Sequence, residues 1–130
     1  MTPDPKAAYA AAKVPLGLIP PTFKAALSLA LAFGARKYGK ASWLDPANRP
    51  VRASTYIDAM HRHLDAWASG EDTAEDSGVD HLAHLAASCA ILVDARAAGR
   101  FEDDRTKVDL GIETLHAQAI MSLWDRGAGA

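Results

Sequence analysis

The sequence predicts an all-α bundle of four main helices, and two observations predict it. Apolar residues recur at three- and four-residue spacing in four separate segments, while no stretch alternates apolar with polar residues as a half-buried strand does. Proline and glycine break the chain between those segments, and no internal repeat is present.

Residues 1–21 are rich in Ala and Pro, and "VPLGLIPP" is incompatible with a helix because proline fixes φ and restricts the residue before it. An extended arm is expected there, unstructured before Lys13. Pro20, Pro21 and Thr22 make a helix start, and Phe23, Leu27, Ala30, Leu31, Gly34 and Tyr38 then fall on one helical face, with Gly39 as the stop. The segment "KASWLDPANRPVRAS" reads as a loop. Ser54 or Thr55 can cap a second helix running to Ser69, with Ile57, Met60, Leu64 and Trp67 as its stripe and Gly70 at its end.

An acidic loop spans Glu71 to Asp76. Ser77 is the expected N-cap of a third helix reaching Ala98, and Gly99 stops it. After the charged linker "RFEDDRTKVD", a fourth helix from Val108 to Trp124 is expected to bury Leu110, Leu115, Ala119 and Leu123, and the tail "DRGAGA" to fray. These elements form one domain over residues 1–130, with residues 1–12 and 125–130 as flexible ends. The apolar faces exceed what one small bundle can bury, so self-association is expected.

Composition narrows the function. The 130-residue chain is 49% hydrophobic and 23% charged, which suits one globular core. A formal net charge of −2 supplies no general field for nucleic acid or an anionic membrane. A phosphate-bearing ligand would need a local device, either a metal or a few Lys and Arg. The single cysteine, Cys89, excludes an internal disulfide and a Cys-based zinc cluster; its Ala, Ile and Leu neighbours mark it as a small core residue. "MTPDPKAAYAAAKVPLG" reads as neither a signal peptide nor a membrane span, and "AALSLALAFGA" is about half the length of a spanning helix. A soluble cytoplasmic protein with no membrane or nucleic-acid partner is expected.

The third helix carries the most distinctive chemistry. His81, His84 and Ser88 share a face that continues into Ile91, Leu92 and Ala95, so imidazoles there must be hydrogen-bonded or metal-bound to offset desolvation. Glu71, Asp72, Glu75, Asp76 and Asp80 lie just upstream. Asp76 also suits a helix N-terminus through the macrodipole. Extending the second helix by one turn would put Glu71 on its stripe, opposite His81 and His84. His63 flanks that stripe, while Asp58, His61, Arg62 and Asp65 project away. Carboxylates select Mg²⁺ or Mn²⁺, and an imidazole tilts the choice toward Mn²⁺. Two readings stay open: a hydrogen-bonded core pair of histidines, or a divalent-metal cup.

Arg36, Lys37 and Lys40 gather positive charge at the end of the first helix. They either complement the helix dipole or clamp phosphate, with Trp43 as a stacking surface for a base. There is no glycine-rich phosphate loop, no GxSxG, and no basic stripe for DNA.

The succession "KVPLGLIPP", "GARKYGKASW", "YIDAMHRHLDAWASGED" and "EDSGVDHLAHLAASCAIL" resembles the phage dATP/dGTP diphosphohydrolases. These are the MazZ proteins, a branch of the all-α nucleoside triphosphate pyrophosphohydrolases that also contains MazG. The resemblance covers Lys13 to Ala95. It implies metal-dependent cleavage, with Mg²⁺ or Mn²⁺, of dGTP or dATP between the α- and β-phosphates, giving dNMP and pyrophosphate. In phages that replace adenine with 2-aminoadenine, the dGMP would feed synthesis of the modified nucleotide.

Carried onto this chain, the resemblance implies Glu71 and Asp76 as metal carboxylates, with Asp80 as a third. His81 and His84 become ligands or groups just behind them, and Glu71, Asp76 and His81 the catalytic set. Lys37, Tyr38, Trp43, Arg62 and His63 would bind substrate, with Lys37 and Arg62 neutralising phosphate and Ile19 in the "PLGLIPP" arm selecting the base. It also implies a dimer or tetramer. The superfamily's acidic pairs ExxE and ExxD are absent as written, and His63 stands where a carboxylate is expected. A non-catalytic helical assembly protein remains an alternative. So does an HD-type phosphohydrolase releasing triphosphate, although the chain has Asp80-His81 and no His-Asp dipeptide.

Overall fold

The computed structural model describes residues 3–109 and 111–128. Five helices follow in order: α1 Pro5–Ala10, α2 Pro21–Tyr38, α3 Ala53–Ala68, α4 His81–Ala97 and α5 Ile112–Ala128. Two short strands, β1 Val51–Arg52 and β2 Phe101–Glu102, pair in parallel with Val51 opposite Phe101. The all-α expectation holds, with this two-residue bridge as its only sheet among the described residues.

The bundle centres on α4, which packs against both α2 and α3. Ala30 of α2 meets Ala83 and Ala87 of α4, flanked by Ala26, Leu27 and Leu31. Small side chains let the helix axes approach closely, and every buried hydrophobic among the described residues is Ala or Val. No large side chain is fully buried among them. Burial of alanine removes little apolar surface from water, so this core is thin for a chain of 130 residues.

The parallel bridge closes the far end of the bundle. It joins the residues just before α3 to those just after α4, and Val51 N–H donates to the Arg100 carbonyl at 2.8 Å. Arg52 Nε donates to Glu102 at 3.3 Å across the same pair. The α3 N-terminus is capped from a distance. Ser54 N–H donates to Asp104 Oδ1 at 2.9 Å, and the Ser54 hydroxyl donates to Asp104 Oδ2. A carboxylate from beyond β2 therefore satisfies a donor that local capping would otherwise serve. Ser54 and Thr55 do not cap α3, whose N-cap position is Arg52.

Other expectations shift by a few residues. The arm is not wholly extended: Asp4 accepts from Lys6 N–H at 3.0 Å and starts α1, and Leu16–Leu18 form a 3-10 turn. The cap of α4 is Asp80, which accepts from Leu82 N–H at 2.8 Å, because the Ser77 hydroxyl is engaged elsewhere. Gly39 (φ 92°) and Gly70 (φ 96°) hold left-handed conformations just past α2 and α3, as the stop signals require.

The stripe of α3 is rotated by about one position. Leu64 and Trp67 are each 42% exposed, whereas Met60 and His63 are half-buried and turn to α4, Met60 Sδ meeting Cys89 Sγ at 3.5 Å. Cys89 itself is exposed rather than a core residue.

The last helix departs most from expectation. It starts at Ile112, after a turn in which Asp109 Oδ1 accepts from Gly111 N–H at 3.1 Å, and runs to Ala128, past the expected end at Trp124, while the last two residues of the tail lie outside the described residues. Leu115, Ala119 and Leu123 are exposed, not buried, and Leu110 lies outside the described residues. No helix among the described residues is long and apolar enough to cross a membrane.

Candidate active site

A cavity of about 770 Å³ opens between α2, α3, α4 and the segment that leads into β1. Lys37 and Tyr38 reach it from the end of α2, Arg62 and His63 from α3, and Asp76 and His84 from the loop before α4 and its first turn. Trp43, Asn48, Arg49 and Arg52 form the opposite wall, with Tyr56 beside them. Four cations thus face one carboxylate, in a chain whose formal net charge is −2.

The imidazoles form one packed cluster at the base of this cavity. His63 and His84 stack with ring centroids 4.8 Å apart and planes 14° from parallel. Phe33 meets the edge of His84 at 5.8 Å. His63 Nδ1 lies 2.9 Å from His81 Nδ1, and His81 Nε2 lies 3.0 Å from Glu71 Oε1. An ionised carboxylate only accepts, so His81 Nε2 donates to Glu71. A neutral His81 then accepts at Nδ1, and His63 must donate from its own Nδ1. The chain of bonds leaves His63 Nε2 as a lone pair. On the other ring, Val79 N–H donates to Ser77 Oγ at 3.1 Å, and the Ser77 hydroxyl is hydrogen-bonded to His84 Nε2 at 2.7 Å.

Burial lowers the pKa of His63, reinforced by the neighbouring His84 and His81 and by Arg62, with Asp76 opposing. His84 is lowered by burial, with Asp76 pulling the other way and His81 and Lys37 adding to the depression. Both shifts favour the neutral imidazole over the charged one. Lys37 Nζ sits 4.3 Å over the Phe33 ring and 3.8 Å from Asp76 Oδ2. On the far wall, Arg52 and Arg49 hold the Glu102 carboxyl below its ordinary pKa, so it stays charged and keeps both guanidinium groups in place.

The structure gathers only part of the expected site. Lys37, Tyr38, Trp43, Arg62, His63, Asp76 and His84 line one cavity. His81 is buried behind His63, and Glu71 reaches the cavity only through His81. Asp80 is occupied as the α4 cap, and Ile19 is exposed on the arm and off the cavity wall. Among the described residues, no three His, Cys, Asp or Glu side chains converge to hold a metal ion. Glu71, Asp76, Asp80 and His84 therefore do not form a closed protein cage. Single carboxylates such as Asp76 suit a cation that brings most of its own oxygen ligands, as Mg²⁺ does with waters and phosphates.

Sequence reading missed Arg49 and Arg52, although "RPVR" just before a helix was a visible cationic signal. It also missed Asp94, which accepts from Trp43 Nε1 at 2.7 Å.

A helical domain whose cavity pairs four cations with aromatic walls is a domain suited to a polyanionic, aromatic ligand. The family is settled by comparison: the chain belongs to the family described as dATP/dGTP diphosphohydrolase, N-terminal, whose model matches residues 3–105. It is also 34% identical, over 74 residues, to a dATP/dGTP diphosphohydrolase of Salmonella phage PMBT28. That match takes in 57% of this chain and 24% of the relative, so the chain spans about a quarter of the relative's length. No solved structure matches.

Proposed function

We propose that this domain binds a purine deoxynucleoside triphosphate in the cavity and hydrolyses it, with Mg²⁺ or Mn²⁺, to dNMP and pyrophosphate. The observation that carries the reading is the opposition of Lys37, Arg49, Arg52 and Arg62 to a single lining carboxylate beside Trp43, Tyr38 and Tyr56. Guanidinium and ammonium groups match phosphate oxygens, and aromatic rings match a base. Asp76 would hold a divalent cation together with the phosphate oxygens, and the cation would supply charge neutralisation of the triphosphate.

The remaining work falls to the chain's own side chains. Cations on two walls hold the phosphates in register. His63, backed by His81 and Glu71, keeps an unprotonated Nε2 that can take a proton from an attacking water. Asp76 keeps Lys37 directed at the cavity. The family name and the phage relative support dGTP and dATP as substrates. The resemblance further supports a role in the host-cell cytoplasm supplying dGMP for 2-aminoadenine synthesis.

The thin alanine core and exposed Leu29, Leu64, Trp67 and Val93 support self-association to a dimer or tetramer. Sedimentation equilibrium is expected to show one of these, and a monomer at micromolar concentration would refute it.

The functional test is product analysis. Incubation with dGTP or dATP and Mg²⁺ or Mn²⁺ is expected to yield dNMP and pyrophosphate. Orthophosphate alone would indicate stepwise dephosphorylation, and tripolyphosphate an HD-type reaction. No turnover, with no metal-dependent rise in melting temperature, would leave a non-catalytic assembly protein.

A further inference from the structure

Asp94 lies ten residues beyond His84 on α4, about 15 Å along the axis at 1.5 Å per residue. It does not line the cavity, yet its Oδ2 accepts from Trp43 Nε1 at 2.7 Å. Trp43 stands on the cavity wall in a single 3-10 turn, Ser42–Leu44. Ala41, just before that turn, is left-handed at φ 53°. A β-carbon crowds the backbone in that region, and such strain persists only where the surroundings impose it.

Further bonds hold the same segment against the end of α4. Arg100 Nη2 donates to the Asp45 carbonyl at 2.8 Å and to the Asn48 carbonyl. An indole has one hydrogen-bonding group. With that group donated to Asp94, the ring keeps one orientation and offers the cavity only its apolar surface.

We infer that Asp94 is a positioning residue that holds the Trp43 indole as a stacking wall for the base of the bound nucleotide. The inference rests on the nucleotide reading of the cavity. Arg100 and the parallel bridge fix the backbone of the segment, whereas Asp94 fixes the ring. Its loss should therefore act on the base and spare the phosphates.

The test uses the full chain carrying Trp67→Phe and Trp124→Phe, which leaves Trp43 as the sole indole. Titration with the α,β-methylene analogue of dGTP and Mg²⁺ is expected to change Trp43 emission saturably. Asp94→Ala is expected to weaken that analogue about tenfold, the scale of one base-stacking contact. Calorimetric affinity for inorganic tripolyphosphate with Mg²⁺ is expected to change less than about twofold. Asp94→Asn keeps an oxygen acceptor and is expected to restore analogue binding.

Equal weakening of both ligands by Asp94→Ala would make Asp94 merely structural. Failure of Asp94→Asn to restore binding, or analogue binding with no change in Trp43 emission, would also overturn the inference. In each of those cases nucleotide binding itself survives. If neither ligand binds the chain with Asp94 intact, the nucleotide reading falls and the inference falls with it.

Discussion

The Nδ1 atoms of His63 and His81 lie 2.9 Å apart. Two imidazole nitrogens at that distance share one proton, and the Glu71 carboxylate on the other side of His81 decides which ring donates it. The buried ring thereby fixes the tautomer of the ring that faces the cavity.

Glu71→Gln tests that order. An amide can donate to His81 Nε2, reverse both tautomers, and leave the His63 Nε2 position protonated. Loss of a correctly protonated base costs about 10²–10⁴-fold in rate. Expected is a fall in kcat on that scale with the helical circular-dichroism signal unchanged. Retained activity would remove the imidazole chain from the mechanism.

The same cluster sets a pH response. His63 and His84 have folded pKa values below the ordinary imidazole value, burial being the first cause for each. Between the folded values and about 6.5, the unfolded chain binds more protons than the folded one. Stability therefore rises with pH through that window and is lost on acidification through it, these two groups adding no further loss once both states are protonated. The melting temperature should be lower at pH 5.5 than at pH 7.5, and His63→Asn should flatten the difference. An unchanged slope in that variant would assign the response to other groups.

Arg49 tests the far wall with little risk to the fold, because it is exposed and its ion pair with Glu102 is long at 3.3 Å. Arg49→Ala is expected to raise KM for dGTP about three- to tenfold with kcat little changed, consistent with loss of one charged contact of about 1 kcal/mol. The penalty should shrink in 0.5 M KCl, because exposed charges are screened. A fall in kcat at constant KM would contradict a simple phosphate contact.

Helix positions were legible because each of the three packed helices carries its own punctuation: Pro21 at one start, and Gly39, Gly70 and Gly99 at the ends. What sequence could not show was rotation and long-range capping. On α3, Ile57-Met60-Leu64-Trp67 is the greasier stripe, yet the face toward α4 includes Met60 and His63, because the partner surface there is His81 and His84. Asp104 caps Ser54 and Asp94 holds Trp43 across about fifty residues of chain, and no local pattern announces either.

The candidate site was half legible for the same reason. Motif residues Lys37, Trp43, Arg62, His63, Asp76 and His84 do meet at one cavity. The expected grouping of Glu71 with Asp76 does not occur, since Glu71 turns to His81 while Asp76 pairs with Lys37. Spacing places side chains on a face, but competition for partners decides which of them meet.

The most direct measurement is pyrophosphate release from dGTP with Mg²⁺ by the intact chain and by a Lys37→Ala/Arg62→Ala variant. Expected are stoichiometric dGMP and pyrophosphate from the first, and a loss of about 10²-fold in kcat/KM from the second, about 3 kcal/mol of transition-state stabilisation. An inactive intact chain, or a double variant that turns over dGTP as fast as the original, would contradict the assignment of this cavity as the site of triphosphate cleavage.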